Sequence, residues 1–295
     1  MKVEIECLAC IIHRGYLEIA EATPQPYLQF RAAKSLLEYM AKEFNPEGVA
    51  AIIGTMRDRI IKRITGNQDI YAEKKRLSNK IALKMLPSLE EVIERQASPK
   101  RRFRKACLAS IVGNIIEFDI PEHDVNFDEL ENFFSAAEED LAIDDISEIF
   151  EEAKKAEDVL FLTDNAGEIV FDKLLVKELK HLGAKVTVVV KGGPILNDAT
   201  LEDAKVVNMY EIANEIITTG TDAVGLPLLE EQSKQFRKAY DNADFVVAKG
   251  MGYAETLTEM RLKKPHAFLL RTKCNPVARY FKVARGKNVA RLMKP

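Results

Sequence analysis

Apolar positions recur along this 295-residue chain with two different periods. Up to about residue 150 the spacing is helical. In YLQFRAAKSLLEYMAKEF, residues 27–44, Phe30, Ala33, Leu37, Met40 and Ala41 fall on one stripe, as a repeat of about 3.6 residues requires. SNKIALKMLPSLEEVIERQ (78–96) and KACLASIVGNIIEF (105–118) keep the same rhythm, with Pro46, Pro87, Pro99 and Pro121 as punctuation. The acidic, amphipathic stretch ENFFSAAEEDLAIDDISEIFEEAKKAED (131–158) reads as a helix leading into the second half.

From about residue 158 the pattern becomes strand, turn, helix. DVLFLT (158–163) is a short apolar run, and EIVFDKLLVKELKHL (168–182) is an amphipathic helix with Gly183 placed to cap it. The β-branched KVTVVV (185–190) reads as a strand, and FVVAK (245–249) and AFLLR (267–271) repeat the signal between helical segments. Such alternation predicts an α/β fold, a mostly parallel sheet with helices on both faces. The expected division is a helical domain over residues 1–150 and an α/β domain over 151–295.

Three of these strands end in polar clusters: DNAGE (164–168), KGGPILND (191–198) and KGMGYAE (249–255). The carboxyl ends of parallel strands share one edge, where ligands bind, so the clusters are expected to converge on a crevice. Asp164 and Asp198 offer carboxylate oxygens and Asn165 a neutral carbonyl oxygen. That set suits Mg²⁺, Mn²⁺ or a neighbouring ion, not the Cys/His preference of structural zinc. Lys191 and Lys249 add positive charge, and Gly192, Gly193, Gly250 and Gly252 let backbone N–H groups approach an anion. Metal, lysine and bare amides together describe a phosphate site. Singly, each element has a plainer reading: Asp-Asn before a helix is an N-cap about as often, and Lys-Gly after a strand is turn chemistry. Independent caps, however, need not gather at three strand ends.

Composition and absent motifs narrow the field. A net charge of −3 argues against a nucleic-acid footprint. No run approaches the ~20 apolar residues of a membrane span, and Glu4 and Glu6 stand where a secretory signal would be apolar. Four cysteines are too few for a disulfide scaffold and point to the cytoplasm. There is no G-x-x-x-x-G-K-[ST], no H-E-x-x-H, no G-x-S-x-G and no D-x-D, and GMGYAE carries Glu255 where a dinucleotide fingerprint has its third glycine.

DNAGE, VVVKGGPILNDAT, FVVAKGMGYAET and, upstream, VGNIIEF resemble the metal-dependent damage-control phosphatases in order and spacing over most of the chain. The resemblance implies a helical N-terminal domain on a Rossmann-like α/β domain. It implies hydrolysis of small phosphate monoesters, sugar phosphates or damaged metabolites, with Mn²⁺, Co²⁺, Ni²⁺ or Mg²⁺. It assigns Asp164, Asn165 and Asp198 to the metal, Lys249 to the phosphate and Glu168 to the catalytic set. Asn114 matches the family's Gly-Asn element at the substrate, and Glu117 stands where the family usually carries Asp. The nucleophile is either a water or Asp164 itself. Lys191, Gly192, Gly250 and Asp222, the last in the Gly/Thr-rich TTGTDAVG, are further candidate substrate or phosphate contacts. Two other classes stay open: a transferase with a nucleotide or adenosyl cofactor, and a non-catalytic sugar-phosphate sensor.

Other conspicuous residues have plain readings. Cys7, Cys10 and Cys107 are expected as packed thiols, as is Cys274, although it lies near a strand end. His13, His123, His181 and His266 show no ligand spacing, and PKRRFRK (99–105) reads as a solvated helix face. The sequence leaves the oligomeric state open.

Overall fold

The computed structural model describes residues 1–113 and 127–295, so Asn114, Glu117, Pro121 and His123 lie outside the described residues. Helices α1 (Ile5–Ala22), α2 (Pro26–Glu43) and α3 (Ala50–Thr65) pack on one another around small cores, one built on Ile11, Leu36, Met40 and Ile53 and the other on Ile19, Ala32 and Ile61. Gly66 ends α3 in the left-handed region at φ 77°, which costs a residue without Cβ little. Helix α2 turns its Ala32–Leu36–Met40 face inward, so of the stripe read from the sequence only Met40 is buried, while Phe30 and Leu37 face out.

Helices α4 (Ala72–Glu94) and α5 (Pro99–Val112) belong to the main core. Pro87 does not punctuate: it sits inside α4. A helix interior proline costs ~3 kcal/mol, and burial of Met85, Leu86, Leu89, Val92 and Ile93 around it offsets that. Pro99 does begin a helix, behind Ser98, whose side chain accepts the Arg101 N–H.

The stretch 131–158 is not one helix. Helix α6 (Phe127–Glu139) stops, Leu141–Asp144 forms strand β1, and α7 (Ile146–Ala153) follows. The Asp144 carboxylate accepts the Ile146 N–H and Asp145 donates its N–H to Ala290. The partner of β1 is the last strand, a non-local pairing that local periodicity does not register.

The sheet continues through β2 (Asp158–Leu162), α8 (Glu168–His181), β3 (Lys185–Val190), α9 (Leu201–Val206) and β4 (Glu215–Thr218). It returns through α10 (Lys234–Asn242), β5 (Phe245–Lys249), α11 (Gly250–Leu257), β6 (His266–Arg271), α12 (Asn275–Phe281) and β7 (Asn288–Met293). Among the described residues seven strands lie in the order β1-β7-β6-β5-β2-β3-β4, parallel except for the β6–β7 pair. Alternation along β2 divides the core: Val159 and Phe161 join the α4–α5–α8 side, and Leu160 and Leu162 join the α10–α11–α12 side. Both faces are therefore covered, as parallel strands require. The chain runs outward from β2 to β3 and β4, then returns to lay β5 on the other side of β2. The reversal between β2 and β5 opens a crevice beyond their carboxyl ends.

Candidate active site

The three polar clusters meet at that reversal. Asn165 and Asp198 are joined by a β-bridge, and Ala199 donates its N–H to the Asp164 carbonyl. Gly250 opens α11 beside Asp164 with φ 74°. A Cβ there would lie 2.0 Å from Asp164 Oδ2, so no other residue fits without displacing the carboxylate.

Asp164, Asn165 and Asp198 line a cleft of about 490 Å³ between the strand ends and the N-terminal helices. The facing wall carries Arg14 of α1, Gly54 of α3 and Ser78 of α4, and Lys273 stands at the rim. Asn79, on α4, fixes the first cluster from behind: its amide oxygen accepts the Gly167 N–H at 2.7 Å and its nitrogen donates to Asp203 at 2.8 Å.

The charges are bound into one network. Asn165 Nδ2 donates to Asp164 at 3.0 Å and to Glu168 at 3.2 Å. On the next turn of α8, Asp172 accepts from Ser110 Oγ at 2.7 Å. Lys249, fully buried, donates to Glu168, to Asp172 at 2.8 Å and to the Ser110 carbonyl at 2.8 Å, which uses all three of its protons. Burial alone would weaken this base, but the Asp172 and Glu168 carboxylates outweigh it and push its pKa up. Lys191 is equally buried behind Asp198, at 3.5 Å from its carboxylate, with its ammonium on the Gly225 carbonyl and 4.2 Å from the Tyr253 ring centroid.

Burial is the main reason the carboxyls are poor acids. It raises Asp198 to about 6 against the pull of Lys191, and Asp172 to about 6 against Lys249. Asp164 is pushed well above the ordinary range, first by burial and then by repulsion from Glu168 and Asp198, with Lys273 and Lys249 opposing. Fully ionised, Asp164, Glu168, Asp172 and Asp198 carry two more charges than the buried Lys191 and Lys249 neutralise, and Lys273 at the rim offsets part of that excess. A divalent cation would balance that set, since two carboxylates with a carboxamide oxygen are hard donors. Among the described residues no group of three or more His, Cys, Asp and Glu side chains is placed to hold a metal ion, so an ion here would rest on two carboxylates and the Asn165 carboxamide.

Not every residue singled out by the sequence reaches the cleft. Gly192 faces the loop after β4: a Cβ there would meet Thr221 N at 2.4 Å, so its glycine serves loop packing. Asp222 pairs with Arg59 of α3 at 2.9 Å and with Lys62 at 3.5 Å, joining the helices to the sheet. Cys107 is packed as expected, whereas Cys7, Cys10 and Cys274 line the cleft. Asn114 and Glu117 lie outside the described residues; Gly113, just before them, packs on Phe171 and within 3.3 Å of Glu168 Cα if given a Cβ. Asn79 was missed, and so were three others. Asp172 was legible as the residue one turn beyond Glu168, and Lys273 as the polar end of a further strand, β6. Ser110 carried no sequence signal.

The profile of the damage-control phosphatase ARMT1-like domain matches residues 3–289. A protein of Archaeoglobus fulgidus named damage-control phosphatase is 38% identical, with all of both chains covered. One of Pyrococcus horikoshii with the same name is 36% identical over 97% of this chain and 96% of its own. The crystal structure of a DUF89 family protein from Pyrococcus horikoshii superposes with a TM-score of 0.86 at 35% identity, covering 100% of this chain and 99% of that one. Among the described residues no helix is long and apolar enough to cross a membrane.

Proposed function

This chain belongs to the ARMT1-like damage-control phosphatases, and we propose that it hydrolyses small phosphate monoesters, sugar phosphates or damaged phosphometabolites, with a divalent metal: Mn²⁺, Co²⁺, Ni²⁺ or Mg²⁺. The observation that carries this reading is the excess of carboxylates over buried lysines in the network at the strand ends. Asp164, Asp198 and the Asn165 carboxamide oxygen would hold the ion. When bound, it would supply Lewis-acid neutralisation of phosphoryl charge.

The chain's own groups divide the remaining work. Gly250, Met251 and Gly252 present the N-terminus of α11 to the cleft, where the N-terminal N–H groups and the helix dipole favour a phosphoryl group. Lys273 brings the rim cation that already lowers the Asp164 pKa. Lys249 was expected to hold phosphate directly. With all three donors engaged it instead fixes Glu168 and Asp172, and reaches phosphate only by exchanging one of them. Asn165 ties Asp164 to Glu168, so the carboxylate beside the phosphoryl group is held in one orientation. A cleft of about 490 Å³ is of metabolite size.

The test is turnover of a generic aryl phosphate and a panel of sugar phosphates by protein stripped with a chelator, then resupplied with each metal in turn. Chelation should abolish hydrolysis and one or more of the four ions should restore it. Full turnover in excess chelator overturns the reading.

A further inference from the structure

Helix α2 contributes nothing to the cleft lining, yet it carries an apolar seam on its outer face. Tyr27 is 71% exposed, Phe30 79% and Leu37 53%, and Ala41 is exposed as well. With Lys34 they occupy positions 27, 30, 34, 37 and 41, spaced alternately by three and four. That is the a/d seam of a coiled coil and differs from the Ala32–Leu36–Met40 face that α2 buries. Alongside, Ile12 and Tyr16 of α1 form the second bank of a groove of about 350 Å³, whose lining is apolar but for the Tyr16 hydroxyl and Gln29. Contiguous exposed apolar surface of this kind marks an interaction site.

We propose that this face is the interface of a homodimer, with α2 of each copy lying antiparallel in the α1/α2 groove of the other. The seam's own pattern points to a second copy. In the antiparallel register that sets Phe30 over the partner's Ala41, large meets small and Lys34 falls against the partner's Leu37. Its aliphatic stem then lies on leucine while its ammonium reaches the partner's Glu38. Within one chain Lys34 and Glu38 form an exposed pair at 3.9 Å, and a two-fold axis makes that pair twice between copies. The size also fits. Two 18-residue helices side by side present a face ~27 Å long and ~20 Å wide. The accessible surface of such a face approaches the ~800 Å² per partner of a standard interface.

Light scattering on the full chain at micromolar concentration should give twice the 33.2 kDa protomer mass. Phe30→Glu should give a monomer with unchanged circular dichroism and unchanged thermal unfolding at dilutions where the parent is also monomeric. Lys34→Glu and Glu38→Lys should each weaken the dimer about tenfold, and the two together should restore it to within about threefold of the parent. That rescue distinguishes the antiparallel register from any other use of the face. A parent that stays monomeric, a dimer that survives Phe30→Glu, or a double exchange that fails to rescue overturns the proposal.

Discussion

Two loops carry the same sequence signals, glycine and aspartate after a strand, and they end in opposite physical situations. After β4, Asp222 meets Arg59 at 2.9 Å and Glu231 meets the same guanidinium at 2.7 Å, in partly exposed surroundings. The two carboxylates share that guanidinium, Asp222 has Lys62 at 3.5 Å besides, and the result is a joint between α3 and the sheet. After β2, Asp164 stands half-buried at the cleft beside the buried Glu168 and Asp198, and Lys273, Lys249 and Lys191 compensate only part of the charge. Residue type does not separate the two cases. The ratio of buried carboxylates to buried cations does, because an uncompensated charge in a dry interior persists only if something arrives to balance it.

The sharpest break in that comparison is Asp164→Asn. It keeps the side-chain shape and removes one charge, so phosphatase turnover should fall about 10³-fold or more, in line with the several kcal/mol a metal contributes to a phosphoryl transition state. The metal-free variant should nevertheless unfold at a higher temperature than the parent, since a repelling carboxylate is gone. Steady-state kinetics and a chelated melting curve check both halves.

Lys249→Ala should act on stability before it acts on chemistry. It leaves Glu168 and Asp172 facing each other without their shared ammonium, and breaking a buried pair in this way costs ~3–5 kcal/mol. Denaturant titration should show the loss. The burial of Lys249 escapes the sequence for a readable reason. Lysine after a strand signals an exposed turn, and nothing in its neighbours in sequence reveals that α5 and α8 close over it.

Much else was legible. Periodicity found β2, β3, β5 and β6 and the parallel sheet, and the strand-end rule brought Asp164, Asn165, Asp198 and Gly250 to one place. It missed Lys273 because only three of the strand ends were followed. Gly192, at the second of those strand ends, and Asp222, in the Gly/Thr-rich loop, sit against Thr221 and Arg59, neighbours set by tertiary packing. Strand β1 was lost in an acidic helical pattern because its partner, β7, lies at the far end of the chain.

A pH series sharpens the comparison further. Asp172 and Asp198 have folded-state pKa values raised to about 6, so the folded chain binds protons more tightly than the unfolded one between about pH 4 and 6. The metal-free protein should therefore hold this contribution fully below about pH 4 and lose it as pH rises through 6, by about 2–3 kcal/mol for each carboxyl. Chelated melting curves read this directly, and added Mn²⁺ should reverse the loss at neutral pH. A metal-free stability that rises across this window would remove the like-charge account. The smallest effect belongs to the other loop. Asp222→Ala should cost about 1 kcal/mol, as partly exposed ion pairs do, and leave kcat within about twofold, as measured by denaturant midpoint and initial rates.

Calorimetric titration of Mn²⁺ into chelated protein at pH 7 addresses the central claim most directly. The parent should bind one ion per chain and release protons as it does so, Asp222→Ala should match it, and Asp164→Asn should bind about 100-fold more weakly or not at all. Equal affinity in the parent and in Asp164→Asn would contradict it, and would return Asp164 to the role of a helix cap.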